Sequence, residues 1–226
     1  MKKKILLLLT IFSLILTSSS RHNSDTFFSE GVIEYSATAV DQGNSMASLA
    51  PTKMSVEFKN NKCCAEFSAG MGLFKMSLIS DPKLLTVTRL VKLMNKDFYH
   101  IYDSTEVKKE MSKLPQITIS ETNETKMIAG YKCKKAMVSF VDKKHPDFAI
   151  YYTDGIDIVK PNWNNPFHQI DGVLMEYQLE SYGLELKFTA ISVTKKDIDD
   201  NDFEIPKEYV SKSATEMDAF FKSMEE

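Results

Sequence analysis

Lys53-Met-Ser-Val56-Glu-Phe58-Lys-Asn60-Asn61-Lys-Cys63-Cys64-Ala65-Glu-Phe67-Ser68 is the stretch that decides the fold. Met54, Val56 and Phe58 alternate with Lys53, Ser55, Glu57 and Lys59, which makes one side of an extended chain apolar and the other polar. Asn60-Asn61 stands where a two-residue turn needs positive φ, a conformation asparagine tolerates. The returning run puts Cys63, Ala65 and Phe67 on the apolar side and Cys64 on the polar one. The spacing therefore predicts a hairpin with one buried face.

Similar runs extend in both directions: Ile33/Tyr35/Ala37/Ala39, Phe74/Met76/Leu78, Leu85/Val87/Val91/Leu93, Ile117/Ile119 and Phe148/Ile150/Tyr152. Near the end, Val173/Met175/Tyr177/Leu179 and Leu184/Leu186/Phe188/Ala190 flank Ser181-Tyr182-Gly183, a predicted three-residue turn. About ten strands with short links make an antiparallel meander, because parallel strands need crossover helices and the chain has few. The expectation is an α+β domain over residues 30–226, a curved antiparallel sheet whose apolar side is covered by a few helices and a long loop. Residues 21–29 read as a linker.

Two helices are predicted. One spans Asp103 to Leu114, capped at Asp103 or Ser104, with Val107 and Met111 four apart. The other opens on the capping box Ser213-x-x-Glu216 and carries Met217, Phe220, Phe221 and Met224 on one stripe. Met217, Phe220 and Phe221 are thus candidates for a lid or for a plain core-sealing helix. Asp41 to Ser48 reads as a loop. Asp154 to Gly172 holds Pro161, Trp163, Pro166 and Phe167, and neither a strand nor a long helix can run through it. Trp163 and Phe167 either contact a ligand or plug an open end of the sheet.

Lys2, Lys3 and Lys4, the apolar Ile5–Leu16 and the small residues Thr17–Ser20 form a signal peptide over residues 1–20. Leu16-Thr17-Ser18-Ser19 follows a lipoprotein box with Ser19 in place of the acylated Cys, so no lipid is expected there. The mature chain is predicted to be periplasmic or envelope-associated, with no integral membrane span after cleavage. It would carry 25 basic and 31 acidic residues. From Asp197 onward there are 10 acidic and 3 basic residues, a tail expected to be mostly solvated surface. Arg21 and Arg89 are the only arginines, which argues against nucleic acid as a partner.

No nucleophile elbow, phosphate loop or dinucleotide fingerprint occurs. The four His residues lack partners at metal-ligand spacing. Asp197, Asp199, Asp200 and Asp202 lack the turn Gly and distal Glu of a calcium loop. No cofactor, metal or catalytic residue is expected. Cys63, Cys64 and Cys133 are either buried small hydrophobes or a bridged pair plus one thiol, with Cys63–Cys133 as the candidate bridge. Arg89 falls among Val87 and Val91 on the apolar face, where a guanidinium needs acceptors. It meets a carboxylate or carbonyl, turns out at a bulge, contacts an anionic head group or holds a lid. Arg89, Val87, Val91, Trp163 and Phe167 are the candidate ligand-contacting residues.

The stretch Glu124-Thr-Lys-Met-Ile-Ala-Gly130-Tyr-Lys-Cys133-Lys-Lys-Ala136, with Tyr151-Tyr-Thr-Asp-Gly155, Asn162–Phe167, Asp171-Gly-Val-Leu-Met-Glu-Tyr177 and Phe203-Glu-Ile-Pro206-Lys-Glu-Tyr209, resembles exported bacterial families of unknown function grouped with GLPGLI-type proteins. These are similar to LolA/LolB-like lipoprotein carriers. The resemblance implies a half-barrel with an apolar cavity and assigns no catalytic residue. The expected function is a non-enzymatic envelope binding or carrier protein for an apolar or amphipathic ligand, such as a lipid or acylated peptide. An envelope scaffold with a filled core and an envelope protein partner is the alternative, and a hydrolase with an unrecognised site the third.

Overall fold

The structure is a computed structural model that describes residues 28–43, 47, 50–69, 72–143, 145–181 and 184–225. The predicted signal peptide, the linker up to residue 27, most of the loop at 44–49 and the Tyr182-Gly183 turn lie outside the described residues.

Among the described residues twelve strands form one sheet, more than the sequence pattern predicts. In chain order they are β1 (Glu30–Ala39), β2 (Lys53–Lys59), β3 (Lys62–Ala69), β4 (Phe74–Asp81), β5 (Thr86–Leu93), β6 (Lys96–Tyr102), β7 (Ile117–Ile128), β8 (Tyr131–Phe140), β9 (Phe148–Thr153), β10 (Val173–Ser181), β11 (Leu184–Lys195) and β12 (Val210–Ser211). Among the described residues the two α-helices are α1 (Ser104–Ser112) and α2 (Ala214–Glu225). The sheet order is β12-β6-β5-β4-β3-β2-β1-β11-β10-β9-β8-β7. Two antiparallel meanders, β1–β6 and β7–β11, are joined through the β1–β11 pair.

The deciding hairpin folds as read. Met54 pairs with Phe67, Val56 with Ala65 and Phe58 with Cys63, while Asn60 and Asn61 turn the chain at φ 51° and 70°. Leu85 does not begin a strand: it is exposed, at φ 55°, in the turn where the Asp81 carboxylate accepts hydrogen bonds from the Lys83 and Leu84 amides. The ladder is also not wholly antiparallel, because β12 lies parallel to β6, Val210 beside Phe98.

Alternation assigns the two faces. On the inner face Ile33, Tyr35, Met54, Phe58, Met76, Val91, Phe98 and Phe188 are buried. The Tyr35 hydroxyl donates to the Leu174 carbonyl at 2.8 Å, tying the two meanders together. β7 comes into contact with β11 although three strands separate them in the sheet, so the C-terminal meander curls tightly.

The outer face of β3–β5 is not left to water. After β11 the chain crosses it, and Phe203, Ile205 and Tyr209 pack on Cys64, Ile79 and Leu90. Cys64, expected on a solvated side, is therefore buried, and the acidic tail is in part a packed strap. Asp199 caps a 3-10 turn at Asp200–Phe203, and Asp200 pairs with Lys59 at 2.9 Å. The strap then rounds the sheet edge as β12 and enters the inner face as α2. Ser213 and Glu216 form the predicted capping box there: the Ser213 amide donates to Glu216 at 2.9 Å and the Glu216 amide to the Ser213 hydroxyl at 3.3 Å.

Helix α1 is capped by Asp103, whose carboxylate accepts from the Thr105 and Glu106 amides. It starts beside β6, near one edge of the sheet, and the chain beyond it enters β7 at the opposite edge. The segment Lys113–Gln116 is the end of this crossover.

Candidate functional site

The concave side has a different cover over each meander. Over β4–β6, Met217 and Phe221 of α2 are buried against Met76, Val91 and Phe98. Phe220 meets Phe98 edge to face at 4.7 Å. Arg89 lies at this contact, its guanidinium carbon 5.1 Å from the Tyr102 ring centre and 5.4 Å from that of Phe221. Cross-strand from Arg89, His100 donates from Nδ1 to the Lys212 carbonyl at 2.7 Å, and its Nε2 lies 3.3 Å from Glu106. Val91 is sealed under α2, and Val87 is half-buried at the far end of β5.

Over the C-terminal meander the cover is the 154–172 loop. Asn162 is buried and its amide donates to the Ile170 and Gly172 carbonyls at 2.8 and 2.9 Å, closing the loop on itself. Phe167 sinks among Ala136, Val138, Ile150, Tyr152, Ile170 and Leu174. Trp163 stretches the other way: its indole N–H donates to the Ser80 hydroxyl on β4 at 2.8 Å. The Val159 amide likewise donates to Asn61 at 2.7 Å, so the loop is pinned to both meanders.

Beside Phe167 the cover stops short and leaves a cleft of about 430 Å³. Ile117, Val138, Phe140, Phe148, Phe167 and Leu179 supply its apolar walls, and Leu114, Pro115 and Pro166 complete it. A volume of this size falls in the range of small-molecule sites. Lys113, His145, Gln178, Glu180 and Glu185 also line the cleft. A second, more open groove of about 860 Å³ runs along the sheet edge between β6, β12 and α2, with Phe98, Val210 and Phe220 among its walls.

Of the residues singled out in the sequence, Arg89, Val91, Met217 and Phe221 gather in one place and Phe167 lines the cleft in another; Trp163 bridges the two halves. Lys113, Leu114, Pro115 and His145 were not legible. They sit in irregular segments whose place over the sheet depends on a crossover with no local signal.

The three cysteines are unbridged. Burial pushes the Cys63 and Cys64 thiols up to about 12 and Cys133 up to about 11. Among the described residues no group of three or more His, Cys, Asp or Glu is placed to hold a metal ion. Nor is any described helix long and apolar enough to cross a membrane.

No family model and no curated protein matches the chain. A solved structure of PNGF-II in a C2 space group is similar in fold, with a TM-score of 0.52 at 18% identity. The likeness covers 85% of this chain and 32% of that one, so the present chain corresponds to about a third of the other.

Proposed function

We propose that the protein is a non-enzymatic binding or carrier module of the LolA-like type, exported by its N-terminal signal and taking an apolar or amphipathic ligand into the cleft beside Phe167. The observation that carries this reading is the unfilled, mostly apolar volume of about 430 Å³ beside Phe167 on the concave face. Burying an apolar chain there gains roughly 25 cal/mol for each Å² removed from water. Phe140, Phe148 and Phe167 offer rings rather than flexible side chains, so little rotamer freedom is lost on binding.

The test is displacement of a fluorescent fatty acid from the full chain, together with native mass spectrometry of protein purified from an envelope. Wild type binds the probe, and Phe148→Trp, which fills the cleft from its half-buried wall, binds it much more weakly at unchanged stability. Absence of probe binding to the wild type, with no co-purified apolar molecule, overturns the reading. The sealed N-terminal half supports a second reading, an envelope interaction module, for which retention of a protein partner without lipid is the expected result.

A further inference from the structure

The charged part of the cleft lining is unbalanced. Lys113 stands there against two carboxylates, Glu180 and Glu185. Its own charge is already answered from outside the cleft: Nζ lies 2.7 and 2.8 Å from the two oxygens of Glu110 and 3.4 Å from Asp218. The two glutamates have no such answer. They are directly opposite each other across the β10–β11 ladder, and among the described residues neither carboxylate has an ion pair. Lys187, two residues along β11 from Glu185, is held by Glu176 at 3.0 Å. Like charges set opposite on a ladder repel, so the pair is a standing cost to the fold.

Four rings line the same cleft. Phe140 lies 4.7 Å from the His145 ring and 6.0 Å from Phe148, and Phe148 meets Phe167 edge to face at 6.4 Å. The face of a phenyl ring is the negative end of its quadrupole and attracts a cation, the more so where water is excluded. Rings and carboxylates therefore favour the same sign of charge. A neutral ligand would leave the Glu180–Glu185 repulsion as it is, and an anion would add to it. A positively charged group is the one that relieves it.

We propose that the cleft takes an amphipathic cation, an apolar chain ending in an ammonium, with the chain along the phenyl rings and the charge beside Glu180 and Glu185. This rests on the apolar-cleft reading and names the ligand class for it.

Decyltrimethylammonium, decanol and decanoate share one chain length and differ in head group, and calorimetry below their micelle-forming concentrations compares them on the full chain. Wild type should bind the ammonium about fivefold more tightly than the alcohol, the most that an exposed ion pair supports, and the alcohol more tightly than the carboxylate. Added salt should narrow the difference, since Glu180 is exposed and Glu185 only half-buried. Glu180→Gln combined with Glu185→Gln should keep decanol binding, lose the preference and melt no lower than wild type, because it removes a repulsion rather than a contact. Equal binding of all three, tighter binding of the carboxylate, or a preference that the double variant retains overturns the cation assignment and leaves the apolar cleft standing. Failure of all three to bind overturns the cleft reading itself.

Discussion

The two meanders present the same kind of concave face and are closed by different means. Over β4–β6 a helix delivers two buried side chains, Met217 and Phe221, onto Met76, Val91 and Phe98. Over β7–β11 an irregular loop delivers Phe167 and Ile170 to the cluster on the sheet and leaves a cleft beside Phe167. Each cover leaves its own kind of gap, a cleft beside Phe167 under the loop and an open groove at the sheet edge beside α2. A helix repeats its apolar stripe every turn and fills a trough along its length, whereas a loop anchors through a few fixed points.

The largest expected effect breaks the helical half. Phe221→Ala should cost about 3–5 kcal/mol and Met217→Ala about 2–5 kcal/mol, measured by denaturant unfolding, since each leaves a cavity under α2. A loss below about 1 kcal/mol would mean that α2 is a loosely seated lid rather than part of the core. Next, Asn162→Ala should cost about 1–3 kcal/mol by leaving the Ile170 and Gly172 carbonyls without their donor. It should also weaken probe binding, which the α2 variants leave in place.

A smaller effect separates the halves by pH. Glu216 is held at about 2 by the Lys212 ammonium and by the Ser213 amide and hydroxyl. A carboxyl lowered in the fold contributes stability above its ordinary value of about 4.3 and loses it as pH falls toward 2. Helicity of α2 should decline through that window. The loop over the other half is pinned by amide, indole and hydroxyl groups, which do not titrate there, and hydrogen exchange can follow the two segments in one experiment.

The smallest effect is chemical. With their thiols raised by burial, the three cysteines should label very slowly with iodoacetamide at pH 8 in the folded protein. Labelling under denaturing, non-reducing conditions should then count three free thiols. One free thiol would instead establish a bridge such as Cys63–Cys133.

The sequence disclosed what is local. Alternation through Met54–Phe67 fixed the hairpin and its buried side, and Asn60-Asn61 its turn. The capping box at Ser213 and Glu216 was legible, and the cap at Asp103 was one of two readings, because a cap is a contact over three residues. Contacts made by distant segments were not. Cys64 reads as solvated on its own strand and is buried only because Phe203, Ile205 and Tyr209 return to cover it. β7 runs to Ile128 as a largely exposed edge strand, so beyond Ile119 it has little apolar alternation to notice. Arg89 was placed on the inner face correctly, yet its position against Tyr102 and Phe221 depends on a helix over a hundred residues later. For the same reason Phe167 was named as a candidate while Lys113 and Pro115, across the cleft from the strands, were not.

The route of the C-terminal strap also sets an order in time. β1 can pair with β2 as soon as both exist, but its other edge waits for β11. Even then, Met76, Val91 and Phe98 lack their cover until α2 has passed round the β6 edge. Residues 214–225 thus close the first meander only after every strand of both meanders has been made, and a chain stopped short of them displays an apolar trough to whatever chaperone or membrane it meets.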